Sequence, residues 1–125
     1  MKLIELLEAR FSIHSLSKEK MPVKLAYRFT KFLKETNTEE DFYKEKLQEI
    51  LLKYGEKDEN GNYVVTPTGR KIREDAKDEC FAAVVELEST EVDKPDISFT
   101  INELGELKMS PETMNSLFAF IKEEE

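Results

Sequence analysis

The apolar positions of this chain fall into helical stripes before they do anything else. In "KLIELLEARFSIHSL", residues 2–16, Leu3, Ile4, Leu6 and Leu7 recur with helical rather than alternating spacing. The pattern predicts a short helix over about 3–9. A second turn carrying Phe11, Ile13 and Leu16 is one continuation. A strand is the other, because Phe11 and Ile13 alternate with polar neighbours. Beyond Pro22, which suits the first turn of a helix, no Pro or Gly occurs until Gly55. Leu25, Phe29, Phe32 and Leu33, then Tyr43, Leu47, Ile50, Leu51 and Tyr54, fall on one stripe in steps of three and four. A single helix over 22–54 would run roughly 50 Å, which points to a coiled-coil hairpin arm. The stripe thins at "KETNTEED", residues 34–41, which has no large apolar side chain. A continuous helix is the expectation there. A kink or break near Asn37, with Thr38 and Asp41 capping a second helix, is the alternative.

The segment "KYGEKDENGNYVV" at 53–65 closes that helix. Gly55 offers a left-handed terminus. Asn60-Gly61 offers a turn with positive φ at both central positions. Tyr63, Val64 and Val65 are strand formers, "TPTG" is a second turn, and "RKI" a returning strand. A second helix is expected over about 73–91, its stripe formed by Ala76, Cys80, Ala83, Val84 and Leu87, antiparallel to the first and ended by Pro95. In "DISFTI", Ile97, Phe99 and Ile101 alternate as in a half-buried strand. "ELGEL" reads as a tight turn leading to a partner strand through Leu107 and Met109. Ser110-Pro111-Glu112 is a helix start, with Met114, Leu117, Phe118 and Ile121 lining the helix and "KEEE" a solvated tail. The expected fold is α+β, mainly α. A long antiparallel helical hairpin carries a turn or small β-hairpin at its tip and packs on a short strand pair and a C-terminal helix. Residues 1–125 form one domain, with 22–91 the arm and 1–21 plus 92–125 the base.

Composition narrows the function classes. The 125 residues carry 27 acidic and 19 basic side chains, a net charge of −8. A phosphate-backbone binder needs a basic face. The best cluster, "GRKIR" at 69–73, is followed at once by "EDAKDE". Direct nucleic-acid contact and contact with an anionic membrane are therefore not expected. The simplest use of the charge is solubility. Cys80 is the only cysteine, which fits a reducing cytosol. No apolar run approaches the ~20 residues of a membrane span, and acidic residues interrupt the first apolar stretch as no signal peptide does. An untargeted intracellular protein is the expectation.

Chemistry-bearing constellations are scarce. His14 stands alone, so a histidine metal site is not expected, and a surface or packing role is the ordinary one. Cys80 lies on the inner face of its helix, where an inert buried thiol is far commoner than a nucleophile. "DENGN" alternates Asp58, Asn60 and Asn62. A calcium loop counted from Asp58 needs Gly sixth and Glu twelfth, but Gly61 is fourth and Gly69 twelfth, so a turn is expected. Glu39–Glu40 and Asp78–Glu79 read as solvated helix faces. The expectations are no catalytic residues, no cofactor and no metal.

Four motifs stand in order along the chain: "MPVKLAYRFTKFLKE" at 21–35, "KYGEKDENGNYVV" at 53–65, "LESTEVDKPDI" at 87–97 and "LGELKMSPETM" at 104–114. With the Leu-rich opening helix, this set resembles a family of small proteins from bacteriophages of Gram-positive bacteria. The chain departs from it in "TNTEED", where the straightness of the arm is at issue. The resemblance implies a phage or prophage origin and action in the host cytoplasm. It brings no activity, catalytic residue or cofactor. On that footing the expected function is a non-enzymatic protein-protein interaction or assembly accessory protein, with a phage structural or host protein as partner. Self-association through the stripe is a further expectation. Tyr27, Phe42 and Tyr63 are the candidate contact aromatics. Tyr43 is read as packing instead. The alternative is an acidic inhibitor of a host defence or nucleic-acid-processing enzyme, of the anti-CRISPR kind. Acids and lysines interleave through 34–49, which argues against a one-faced nucleic-acid mimic.

Overall fold

A computed structural model describes residues 1–123. Lys122 and Glu123 of the expected solvated tail are exposed, and Glu124 and Glu125 lie outside the described residues. The protein is mainly helical, with two small two-stranded sheets. The chain divides into two compact units: Met1–Glu40 with Glu91–Glu125, and Asp41–Thr90. The expected division assigned residues 22–40 to the arm, whereas the structure places them in the first unit.

In the first unit, α1 runs without interruption from Leu3 to Leu16. Leu6, Ala9, Ile13 and Leu16 are buried along one helical face, while Phe11 points outward. The strand alternative at Phe11–Ile13 is thereby replaced by helix. The next helix, α2, spans Val23–Glu35 with Pro22 as its N-cap residue, and buries Leu25, Phe29 and Phe32 against α1. Phe99 and Phe120 complete this core edge-on, with centroids 5.1 Å from Phe29 and 4.9 Å from Phe32 respectively.

The long helix expected over 22–54 is two helices, α2 and α3 (Asn37–Tyr54), separated by Thr36. The interruption lies one residue from the alternative at Asn37. Its cause is polar. Thr36 is 1% exposed; its hydroxyl bonds the Phe32 carbonyl at 2.7 Å and receives an Arg10 N–H at 2.8 Å. Arg10 also donates to the Leu33 carbonyl at 2.5 Å and to Asn37 Oδ1 at 3.2 Å, and is ion-paired with Glu40. The "KETNTEED" gap in the apolar stripe is thus filled by one guanidinium from α1.

The C-terminal part of this unit departs from the expected meander. The strand Phe99–Thr100 pairs in parallel with Ile121–Lys122, not with Leu107–Met109. Thr100 instead starts a short helix, Ile101–Leu104: its hydroxyl accepts the Glu103 N–H at 3.2 Å, and Glu103 Oε1 accepts the Thr100 N–H at 3.1 Å. That capping box takes Ile101 out of the strand and leaves it exposed. Ser110 caps the helix Pro111–Leu117 as expected, its Oγ accepting the Thr113 N–H at 3.1 Å. Leu117 and Phe120 enter the core, while Phe118, expected to line it, is exposed because a 3-10 turn over Phe118–Phe120 rotates it outward.

The second unit holds most of α3, a cluster of short strands, and the helix α4 (Lys77–Glu88), which follows a 3-10 turn at Glu74–Ala76. This helix ends at Glu88, seven residues before Pro95, so the proline is not its stop. Val65–Thr66 (β1) pairs antiparallel with Gly69–Arg70 (β2). Isolated bridges join Lys57 to Tyr63 and Gly55 to Ile72. The 58–62 turn is built on Asp58. Its Oδ1 accepts the N–H groups of Asn60 and Asn62 at 2.9 and 3.0 Å, and its carbonyl accepts Gly61 N–H at 3.1 Å. Only Gly61 has positive φ there, at 82°. The expected two-residue turn, with Asn60 also left-handed, is replaced by a three-residue loop closed by Asp58 N–H to Asn62 O at 2.8 Å.

Gly55 is not left-handed either. It is required by close approach: a Cβ would stand 2.8 Å from the Leu51 carbonyl and 2.9 Å from the Tyr63 ring. The Tyr63 hydroxyl donates to Leu52 O at 2.9 Å and Arg73 N–H to Tyr54 O at 2.9 Å, so the strand cluster satisfies carbonyls at the end of α3.

Two stability outcomes follow. Phe29→Ala should cost about 3–5 kcal/mol in urea unfolding, as a fully buried aromatic leaving a cavity. Gly55→Ala should lower the melting temperature and disturb Tyr63, read as changed amide shifts at 51–55 and 63; an unchanged spectrum would contradict the close approach.

Candidate functional site: a groove beside the β1–β2 hairpin

The second unit carries a surface groove of about 490 Å³ between the β1–β2 hairpin and α4. Lys77, Cys80, Phe81 and Val84 recur at helical spacing and present one face of α4 to it. Thr66, Thr68, Arg70, Lys71 and Ile72 form the hairpin wall. The floor belongs to the core of this unit: Cys80 is buried with Tyr54 and Ala76, and Ile72 packs on the same cluster. The hairpin is braced by the Thr66 hydroxyl, which donates to Gly69 O at 2.9 Å.

The lining has three cationic side chains and no carboxylate. The Arg70 guanidinium lies 5.2 Å over the Tyr63 ring. Lys71 is paired with Glu56 at 3.0 Å and Lys77 with Glu74 at 2.8 Å. The hydrogen bond and charge of Lys77, aided by Lys71, hold the Glu74 carboxyl below the usual carboxylate range. Phe81 is 72% exposed at the rim, and Val85, one turn further along α4, is 42% exposed.

Of the three candidate aromatics, Phe42 and Tyr63 belong to the second unit and are not brought together there. Tyr27 stands exposed on α2 in the first unit. Phe42 is on α3 in the second, 40% exposed, with the Lys46 ammonium 5.9 Å over its ring. Tyr63 is half-buried and held by Gly55, Leu52, Lys57 and Arg70, a structural post. It meets α3 at Leu52, ten residues past Phe42, roughly 15 Å along the helix axis. Tyr43 is half-buried, with its hydroxyl 3.5 Å from Glu88. His14 is exposed and Cys80 is buried and free. Among the described residues no three His, Cys, Asp or Glu side chains gather as a metal-holding group, and no helix is long and apolar enough to cross a membrane.

The sequence pattern sets Cys80 on the inner face of its helix beside Phe81 and Ala83; Cys80 is buried, whereas Phe81, which is not part of the Ala76–Cys80–Ala83–Val84–Leu87 stripe, is exposed at the groove rim. "GRKIR" was visible as a basic run, but only the hairpin brings Arg70 and Lys71 beside Lys77. Comparison with known proteins returns no matching family model, no matching curated protein and no matching solved structure. The fold and the groove therefore define a mainly helical α+β protein with an amphipathic surface groove, and the functional reading rests on this chain alone.

Burial, then the charge and hydrogen bond of Glu88, raise the Tyr43 phenol above its ordinary value of 10.0. A raised phenol keeps its proton longer in the folded state. Its contribution to stability is therefore complete below pH 10 and is lost as pH rises through the folded value. The ultraviolet titration difference between wild type and Tyr43→Phe should have its midpoint above 10.0, and Glu88→Gln should move that midpoint down.

Proposed function

We propose that the protein is a non-enzymatic interaction protein of phage origin, an assembly accessory or partner-binding factor, and that α3 and α4 act as an antiparallel helical pair. Support for the pairing lies in the second unit. Near the start of α3, Tyr43 meets Glu88 at the end of α4, while Ile50, Leu51 and Tyr54 near the end of α3 pack with Ala76, Cys80 and Ala83. Support for the phage origin is the ordered set of four motifs.

The observation that carries the contact reading is the exposure of large aromatic side chains. Phe11, Tyr27, Phe81 and Phe118 are each 67–73% exposed. Exposed rings of this size add nothing to a core and are the side chains most often found at the energetic centres of protein interfaces. Single exposed apolar residues are ordinary; Phe81 differs in standing at the rim of a groove. The proposed partner is a protein, a phage structural component or a host factor, or a second copy of this chain, met in the host cytoplasm. A net charge of −8 favours one second reading, an acidic inhibitor of a host defence or nucleic-acid enzyme.

Capture from phage-infected Gram-positive host lysate on immobilised protein tests both. Retention of tail or capsid components is expected. It should weaken at least about fivefold in one or more of Phe81→Ala, Tyr27→Ala and Phe11→Ala, since hot-spot truncations cost more than about 1 kcal/mol. Retention of a nuclease or defence enzyme, released by added salt, would move the assignment to inhibition. Tight duplex-DNA binding by the purified protein would overturn both.

A further inference from the structure

We infer that the groove between the β1–β2 hairpin and α4 is a docking site for a short acidic segment of a protein partner, anchored by an apolar side chain. This deepens the contact reading above and rests on it.

The chemistry of the lining selects the occupant. Ile72, Cys80 and Val84 give an apolar floor, Phe81 an apolar rim, and Arg70, Lys71 and Lys77 supply cations on the same lining. An occupant that satisfies all of them is amphipathic and anionic. The cations are at hand: the Lys71–Glu56 and Lys77–Glu74 pairs are surface pairs. Such exposed pairs contribute little to stability, so an incoming carboxylate displaces Glu56 or Glu74 at little cost. The Arg70 guanidinium lies over the Tyr63 ring with its two terminal nitrogens 3.0 and 3.1 Å from the Gln48 side-chain oxygen, a neutral acceptor that an incoming carboxylate replaces with a charged one.

The surroundings decide between a peptide and other anions. The apolar strip does not end at the groove, because Val85 continues it one turn beyond Phe81. A segment with a second apolar residue is accommodated, and a small carboxylate would leave that strip uncovered. A nucleic-acid strand is disfavoured for a different reason. Glu74, Asp75, Asp78 and Glu79 follow the basic run directly and are all exposed. A continuous phosphate chain, with charge at every step, extends past the three cations into those carboxylates. A peptide with apolar residues between its acids concentrates charge where the cations are. Complementarity of this local kind governs which partner is accepted and how fast it arrives.

The test is selection from a random peptide library displayed on beads, using the full chain, followed by fluorescence anisotropy on the recovered peptides. Recovered sequences are expected to combine Asp or Glu with Leu, Ile, Phe or Met. Their affinity is expected to fall about tenfold, equivalent to about 1.4 kcal/mol, in Phe81→Ala and in Lys77→Glu, and to fall with added salt. Both substitutions are at exposed side chains, and an unchanged thermal melt confirms that each variant is folded. Charge-free or basic recovered sequences, no recovered sequence, unchanged affinity in both variants, or tighter binding of a labelled single-stranded oligonucleotide would each overturn the inference. In the lysate capture, a partner lost with Tyr27→Ala but kept by Phe81→Ala and Lys77→Glu would overturn the groove alone and leave the contact reading standing.

Discussion

One arginine sets the geometry of the first unit. The Arg10 guanidinium reaches from α1 to the point where α2 gives way to α3 and meets Leu33 O, Thr36 Oγ1, Asn37 Oδ1 and the Glu40 carboxylate. Its side chain is 12% exposed. A cation so removed from water is tolerated only when its donors are nearly all used. The break in the helical stripe supplies the acceptors: a carbonyl, a hydroxyl, an amide oxygen and a carboxylate within one turn on either side of Thr36. An apolar residue at 36 would fill the stripe but remove the hydroxyl, leaving a buried donor without its acceptor. The polarity of "KETNTEED" is therefore the complement of Arg10.

The same logic explains what could and could not be read from sequence. The stripes of α1, α2 and α4 were legible because each element's apolar face is local information: Leu25, Phe29 and Phe32 are buried, as are Ala76, Cys80 and Leu87. Continuity through Thr36 was not legible, because the deciding partner lies 26 residues away in sequence. Local rules also competed. At 97–101 the alternation pointed to a longer strand, but the Thr100–Glu103 capping box, clamped by Arg28 to Glu103 and to Ser98 O at 2.9 Å, begins a helix first. Gly55 and Asn60-Gly61 do mark the chain reversals that the sequence predicts, but on different physical grounds. Gly55 is there for the Tyr63 ring, and Asn60 is held by Asp58 rather than by a left-handed backbone.

The candidate site was legible in pieces only. Its cations came as a run and its apolar floor as half of a helical stripe. The "TPTG" turn and the returning "RKI" strand are legible, but nothing in the spacing says that this hairpin brings Arg70 and Lys71 beside Lys77. That juxtaposition depends on Gly69, whose φ of 125° lets the chain reverse after Pro67-Thr68. Tyr63 has the residue type of an interface anchor, but its hydroxyl and ring are committed to the end of α3.

The second unit has a small core, with Tyr54, Ala76 and Cys80 as its buried cluster. A core of this size contributes little by burial alone, so the unit depends on its polar joints: the Tyr63 hydroxyl on Leu52, Arg73 N–H on Tyr54, and the Asp58 turn. Those joints occupy the end of α3 and the inner side of the strand cluster. The groove face of α4 is left with a floor that belongs to the core and a rim that does not. Covering Phe81 and Val85 would add the apolar burial that this unit lacks by itself. Docking on that face, as proposed, would also stabilise the second unit, because a ligand that binds only the folded state raises its stability by mass action.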